Sequence, residues 1–576
     1  MTGSFECPAQ PHSTRERSEP NDLGLCDARN RQSIDEEQRR RVEGRLRNGP
    51  DDLPPVQVSQ RKEHASGFSP HLNAAPTIAP MTDASPSDPG WNWQSTYTTL
   101  PEDFFDAAKA APAPDPRTEL FNAPLARELG LDPAALEGEA GAATFTGQTL
   151  PPDTTPIAQA YAGHQFGGFT MLGDGRAMLL GEHVTPAGER FDITLKGSGP
   201  TAYARRGDGM ATLGPMLREY VVSEALHALG IPTTRALAVA TTGRTVRRPD
   251  PLPGAVLTRV AASHVRCGTF QFAARALGPD AVRALADHVI ARHFPAARHE
   301  AHPHRAMFEG IVQRQAELVA HWMSVGFVHG VLNTDNLAVS GETIDYGPCA
   351  FLDAYDPAAC FSSIDRGGRY RYDQQPAITQ WNLARLAEAM LPLLAEPGDT
   401  ADDAGVAWAT AVVEGFMDRY EAAWRTHQVR KLGLVGADPA DAALCDELLA
   451  LMHDTRADFT QSFRGLADDA DPAVRPDATP LRDATGFGPW RDRWRARLAT
   501  DKPDAAARLR SINPAVIPRN HTLQAALDAA ERGGTLAPVR RLLKVLARPF
   551  DEPADDGGLG DAPPESAPPF VTYCGT

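Results

Sequence analysis

The chain lacks any run of about 18 uncharged apolar residues, so no membrane-spanning helix is expected. Its amino terminus has no continuous apolar h-region, and the arginines there alternate with Glu and Asp, which argues against a secretory signal or a mitochondrial presequence. Cysteine is sparse: seven residues, with no CxxC pair and no metal-ligand spacing. Neither a zinc ribbon nor a disulfide framework is therefore expected, and a reducing cytoplasm is the default location. Positive charge is also short, with 57 Lys+Arg against 74 Asp+Glu and a formal net charge of −17. General binding to nucleic acid or to an anionic membrane needs a basic face, so both partners are unexpected. The acidic excess reads as a solvated surface. No coiled-coil seam or internal repeat is present, and a monomer is the expectation.

Hydrophobic residues make up 42% of 576, enough for a substantial core and more than one lobe. Residues 1–88 stand apart. They are rich in Pro, Ser, Arg, Asn, Asp and Glu, carry few aromatics, and cannot bury enough surface to offset ordering entropy, so disorder is expected. The one helical hint there is the highly charged Ser33–Leu46. Met81 precedes the start of the globular chain at Trp91. At the other end, residues 548–576 form a Pro- and Asp-rich tail closing on Cys574-Gly575-Thr576.

Between these ends the chain changes character in order. Glycine-punctuated strands run through YAGHQFGG, from Tyr161, and LGDGRA, from Leu172, where glycine permits turns and close backbone approach to a ligand. FDITLK then alternates apolar and polar as a strand, ending on Lys196. A second glycine loop (Gly197–Gly209) leads into a helix from Leu213 to Leu229 carrying Glu219 and Glu224. These two lie five residues apart and point about 140° apart, so one of them can face the lysine; periodicity leaves open which. Lysine on a strand and glutamate on the next helix is the order of a kinase-type N-lobe. Arg259 and Arg266, in an apolar run, offer planar forks suited to phosphate, although ordinary ion pairs would look the same. Helical patterns dominate after Pro279, at Met307–Met323, Gln380–Leu394, Gly405–Gln428, Ala442–Phe463 and Leu523–Ala547. The expected architecture is α+β and bilobal, kinase-like, with an N-lobe over 89–272, a helical C-lobe over 273–547 and a tail over 548–576.

The stretch Phe327–Asp353 joins these parts. It reads as strand, polar loop, turn at Ser340–Glu342 and a second strand ending at Asp345-Tyr346-Gly347. Asp335, Asn336 and Asp345 then sit on adjacent loops, as oxygen ligands for Mg²⁺ and phosphate must. Against the kinase catalytic loop H-R-D-x-x-x-x-N, His329 and Asn336 keep their places while Val331 holds that of the catalytic aspartate. The usual base is therefore absent from its place, and Asp335 stands among good turn residues, where a helix or turn cap is the plain reading.

Taken together, YAGHQFGG, LGDGRA, LKGSGPTAYARRGDG, REYVVSEALHALGIPT, VHGVLNTDN and DYGPCAFLD resemble the SelO/YdiU family of pseudokinases. The resemblance covers about 90–575, everything but the N-terminal extension. It implies a kinase-like fold that binds ATP in a flipped orientation with Mg²⁺ or Mn²⁺, and transfer of AMP to Ser, Thr or Tyr hydroxyls of protein targets, with UMP from UTP also attributed to members. It implies that Gly173, Gly175, Arg176, Asp208 and Gly209 line the nucleotide, and that Lys196 contacts phosphate, paired with Glu219 of the REY motif. Arg259 and Arg266 would grip the inward phosphate, Asp335 would accept the proton, and Asn336 and Asp345 would hold the metal. Where vertebrate members carry selenocysteine this chain has Cys574. Cys360 lies fifteen residues past Asp345, so a redox-sensitive Cys360–Cys574 bridge tethering the tail is a further expectation. Two competing readings are a kinase moving the γ-phosphate and an inactive nucleotide-binding scaffold.

Overall fold

A computed structural model describes residues 88–573 except 396–401, 437, 471–478, 501–503, 553–556 and 565. Residues 1–87, with the helical hint at Ser33–Leu46, and Cys574 lie outside the described residues.

The first half builds one antiparallel sheet. Short strands β1 (Trp93–Gln94), β2 (Phe105–Ala107) and β3 (Arg117–Phe121) come first. Helix α1 (Ala123–Glu128) follows, its start capped by the Asn122 side chain, which accepts from Leu125 N. Then come α2 (Gly138–Phe145), β4 (Ile157–Gln159) and a separate glycine hairpin of β5 (Ala162–Gln165) and β6 (Gly168–Met171). The long strands are β7 (Ala177–Val184), β8 (Arg190–Lys196), β10 (Arg235–Arg247) and β11 (Pro251–Ala261); β9 (Ala211–Thr212) and α3 (Leu213–Ala228) fall between β8 and β10. The sheet order is β2-β4-β7-β8-β11-β10-β3, with β1 added to β7 and β9 to β11.

Strand β8 lies mid-sheet, Leu195 opposite Met178 on β7 and Thr258 on β11. Its apolar residues Ile193 and Leu195 join Met178, Leu180, Val256 and Val260 in a core. The alternate residues Asp192, Thr194 and Lys196 are buried as well. The alternation in FDITLK therefore marks two covered faces, one apolar and one polar, rather than a wet side. A central strand flanked on both edges has no face left for solvent unless one side of the sheet is bare.

The second half is helical: α4 (Cys267–Phe272), α5 (Pro279–His293), α6 (Pro303–Ser324), α7 (Gln375–Leu394), α8 (Asp402–Glu414) and α9 (Phe416–Lys431), then α10 (Asp441–Thr455), α11 (Phe459–Ala470), α12 (Phe487–Leu498), α13 (Ala505–Ile512), α14 (Asn520–Glu531) and α15 (Ala537–Leu546). The segment expected as one helix over Gly405–Gln428 is two, broken at Gly415, and Ala442–Phe463 likewise divides at Arg456, which adopts the left-handed conformation (φ 52°). Helix α6 buries Met307, Phe308, Ile311, Val312, Leu318, Val319 and Trp322, an i, i+4, i+7 stripe. It stops at Gly326, whose φ of 73° only glycine takes cheaply. That stop delivers the chain into β12 (Phe327–Val328), and β12 pairs with β13 (Ala350–Phe351).

Here the hairpin differs from expectation. The partner strand comes after Asp345-Tyr346-Gly347, not before it, and Thr343 instead makes a single parallel bridge to Thr233. Asp345 itself has φ 65°, a left-handed conformation that breaks any strand running through it. The C-terminal helices also return to the strand-rich lobe. Both α14 and α15 pack on α3, and Gly214 N donates to Glu531 Oε1 at 2.9 Å. The whole is the bilobal, mixed-sheet-and-helix arrangement of a protein kinase. Among the described residues no helix is long and apolar enough to cross a membrane.

Candidate active site

A cavity of about 1000 Å³ opens between the sheet, the catalytic loop and α14. Its floor is an ion network. Lys196 Nζ, at the end of β8, lies 2.7 Å from Glu219 Oε2 on α3 and 2.5 Å from Asp345 Oδ1. Arg259 on β11 binds Glu219 Oε1 through Nε at 2.8 Å and reaches Asp345 Oδ1 at 2.6 Å. Arg266, just before α4, donates to Asp345 Oδ2 at 2.9 Å and to the Asp335 carbonyl at 2.8 Å, and its guanidinium lies 4.7 Å over the Tyr161 ring. Strand register does this: Lys196 is opposite Leu257, so Arg259, two residues further along β11, projects from the same face.

Three cations meet two carboxylates, which leaves a net positive floor, with Arg176 also on the wall. Burial alone would raise the Asp345 carboxyl, but Lys196, Arg259 and Arg266 outweigh it and hold the group well below the usual carboxylate range. Glu219 is likewise held down against burial by Arg259 and Lys196. Burial, then Arg259, lowers Lys196 from its ordinary value, opposed by the two touching carboxylates. Asp345 keeps 22% of its side chain exposed, against 9% or less for its partners, so it is the member that opens to the cavity.

Glu224, the other candidate for the lysine, points away. It accepts from Arg235 at 2.9 Å, from Asn122 at 2.9 Å and from Ala236 N at 3.0 Å.

Asp335 behaves in the opposite way to Asp345. It sits in the first turn of a 3₁₀ segment (Thr334–Asn336), buried, with Oδ1 lacking any hydrogen-bond partner and Oδ2 only 3.4 Å from Gln165 Nε2. Burial, opposed by Arg266, raises its pKa. A capping carboxylate would accept a nearby backbone N–H; this one does not cap the segment. The β5–β6 hairpin is docked on the same loop. His164 N donates to Thr334 Oγ1 at 2.7 Å, Phe166 N donates to Asn333 Oδ1 at 3.2 Å, and a Cβ on Gly163 would stand 2.4 Å from Asp335 Oδ1. Asn336 Nδ2 donates to Val331 O at 2.7 Å, which turns its amide oxygen the other way. His329 is buried and burial lowers its pKa; its Nε2 lies 2.9 Å from Ile344 O, a contact that ties the two loops together.

Of the residues singled out in the sequence, Gly175, Arg176, Lys196, Glu219, Arg259, Arg266, Asp335, Asn336 and Asp345 line this one cavity. Gly173, Asp208 and Gly209 do not. Gly173 (φ 142°) backs onto the Tyr203 ring and Gly209 (φ 66°) onto Gly199 and Pro200, so both serve backbone turns. Asp208 is exposed and pairs with Arg248 at 2.8 Å, and it is Arg248 that reaches the wall. Cys360 is an exposed thiol away from the floor. Wall residues not foreseen include Tyr161, Gln165, Asp174, Glu531, Arg532 and the tail segment Phe570–Tyr573. The first three belong to motifs noticed only for their glycines; α14 and the tail carry no local signal of their destination.

A family model described as Protein adenylyltransferase SelO matches residues 90–547. The protein nucleotidyltransferase YdiU of Brevibacillus brevis is 51% identical over 500 residues, 86% of this chain and all of the relative. The YdiU proteins of Halalkalibacterium halodurans (50% over 491 residues, 84% of this chain and 98% of the relative) and Methylorubrum populi (51% over 496 residues, 84% and 99%) are similar to the same degree. A solved structure described as ROP2 from Toxoplasma gondii, with a protein-kinase fold and no enzymatic activity, matches at 12% identity over 60% of this chain and 88% of that one, with a TM-score of 0.19, too low to bear on the fold. The chain belongs to the SelO family of protein adenylyltransferases, whose relatives at about half identity are named protein nucleotidyltransferases.

Proposed function

We propose that this protein moves AMP from ATP, or UMP from UTP, to a Ser, Thr or Tyr hydroxyl of another protein. The observation that carries the reading is the pairing of a positive floor with a separate buried carboxylate of raised pKa in one cavity. Lys196, Arg259 and Arg266 spend their charge on Asp345 and Glu219 when no phosphate is near; a polyphosphate brings the anions that a net positive floor favours. The acceptor oxygen attacks the α-phosphorus, its proton passes to Asp335, and the bond from that phosphorus to the pyrophosphate oxygen breaks. The three cations spread the charge that grows on the phosphates, where prearranged charge is most effective.

Val331 stands where a kinase has its base and lines the cavity. The reversed nucleotide that the family resemblance implies would put the α-phosphorus, not the γ, beside Asp335, four residues further on. Asn336 and Asp345 fit a divalent ion: an amide oxygen turned off Val331 and a carboxylate opening to the cavity are what Mg²⁺ or Mn²⁺ takes beside phosphate and water. Bound there, the ion would neutralise the leaving pyrophosphate. A reversible Cys360–Cys574 bridge remains part of the proposal for the tail; equal activity with and without reductant would count against it.

The test is Mg²⁺ with ATP labelled at either the α or the γ position. Label reaching protein from α supports nucleotidyl transfer. Label from γ makes the protein a kinase, and none from either leaves a scaffold.

A further inference from the structure

The tail ends its described course on an isolated β-bridge to the extended segment Phe361–Ser363. Thr572 N donates to Phe361 O at 2.8 Å and Ser363 N donates to Thr572 O at 3.0 Å, one step of a parallel ladder between Ser362 and Thr572. Thr572 Oγ1 also donates to Pro348 O at 2.9 Å, three residues past Asp345. Phe570, Val571, Thr572 and Tyr573 all line the nucleotide cavity. Backbone pairing of this kind is how an extended peptide adds to an exposed edge, with affinity from main-chain bonds and little demand on sequence.

The apolar surface around that edge tells the same story. Among the described residues the exposed large hydrophobic side chains are six, and four of them (Phe166, Ile364, Val571 and Tyr573) belong to this edge, the tail on it and the hairpin beside it. Exposed apolar residues scattered singly need no explanation, but a cluster beside a cleft marks a binding surface. A continuous path joins them to the base. Asp365 N donates to Ser362 O, and Tyr370 N donates to Asp365 Oδ2 at 2.8 Å. The Tyr370 ring is 5.1 Å from that of Phe166, and its hydroxyl donates to Asn333 Oδ1 at 2.5 Å, two residues before Asp335.

We infer that the Phe361–Ser363 edge is the docking strand for an extended segment of the acceptor protein, and that Val571–Tyr573 is seated there as an intramolecular competitor. The inference rests on the transferase reading and adds where the acceptor lies. An acceptor segment pairing as Thr572 does runs along the wall of the cavity that Asp335 also lines. The tail must leave before a foreign segment enters.

The experiment uses the full chain, a variant ending at Ala567, and Thr572→Pro, which removes the N–H given to Phe361. The acceptor probe is unfolded casein, with α-labelled ATP, Mg²⁺ and reductant throughout so that no disulfide contributes. Truncation and Thr572→Pro are each expected to raise kcat/KM for casein at least 5-fold, through KM. The free hexapeptide Pro568–Tyr573 is expected to restore inhibition in the truncated protein, competitive with casein. Ser363→Pro in the truncated protein, which removes the N–H given to Thr572 O, is expected to lower kcat/KM for casein about 10-fold while ATP affinity holds. Casein labelling within 2-fold in all variants, with no effect of the peptide, overturns the docking strand while leaving the transferase reading intact. Self-labelling without casein labelling does the same. Absence of α-label from every protein present overturns the transferase reading itself.

Discussion

At the scale of single residues, the two aspartates of the cavity are opposites made by their surroundings. Asp335 is buried with an oxygen unpartnered, so the folded state holds its proton more tightly than the unfolded chain does. A raised folded pKa means the carboxyl costs stability as pH rises from the unfolded value through the folded one. Asp335→Asn is therefore expected to melt at the same temperature as the parent or higher at neutral pH, while transfer falls about 100-fold or more, the usual contribution of a general base. The acid limb of kcat/KM in the parent should lie above the ordinary carboxylate pKa of about 3.9; a limb at or below it would remove Asp335 from the role. Asp345 has a lowered pKa, so its stabilisation is present above the unfolded value and is lost as pH falls toward the folded one. Asp345→Asn leaves three cations facing Glu219 alone. That change should cost about 3 kcal/mol of stability, the penalty for removing one side of a buried pair, read from denaturant unfolding. The same variant should bind ATP in EDTA more tightly than the parent, because its cations are no longer satisfied from within.

At the scale of elements, the glycine hairpin β5–β6 proves to be a brace for the Asn333–Asn336 loop. Gly163 leaves room for the Asp335 carboxylate, and the backbone of His164 and Phe166 holds Thr334 and Asn333. Gly163→Ala pushes a methyl against the Asp335 carboxylate and, on the proposed role of Asp335, should lower kcat at least about 10-fold, since misplacement of about 1 Å can cost 100-fold. ATP affinity, measured by titration calorimetry, should stay within a factor of two, because the phosphate floor lies on other elements. Helix α3 shows a different limit. Its two glutamates are equivalent in one dimension, and the choice of Glu219 is made by the position of α3 over β8 and β11, from which Lys196 and Arg259 emerge side by side. Glu224 is absorbed by Arg235 and Asn122 on the opposite side.

For the whole molecule, the cavity is a joint between parts distant in the chain: β8, β11, the catalytic loop, α14 and the tail. A ligand there ties them together and binds the folded state alone. At a free concentration about a hundred times its Kd, MgATP should add about 2.7 kcal/mol to stability, seen as a higher thermal midpoint. Lys196→Met should lose most of that increment; an undiminished shift would place the nucleotide elsewhere.

The chain by itself determined the kinds of element and most of the chemistry. Alternation in FDITLK, glycine punctuation, the stripe on α6 and the order lysine, glutamate, arginines, Asp335, Asn336, Asp345 are local patterns, and local patterns follow from backbone geometry and side-chain period. Tertiary structure decided what period cannot encode. It chose Glu219 over Glu224, left Gly173 and Gly209 as turns, gave the Asp345 carboxylate three cations while leaving one Asp335 oxygen unpartnered, and moved the second strand past Asp345. It also brought Phe570–Tyr573 back to a cleft lined by residues some four hundred positions earlier. The physical reason is that these outcomes depend on which faces meet across the sheet and the cleft, and that is settled only when long-range packing fixes register, depth and charge environment together.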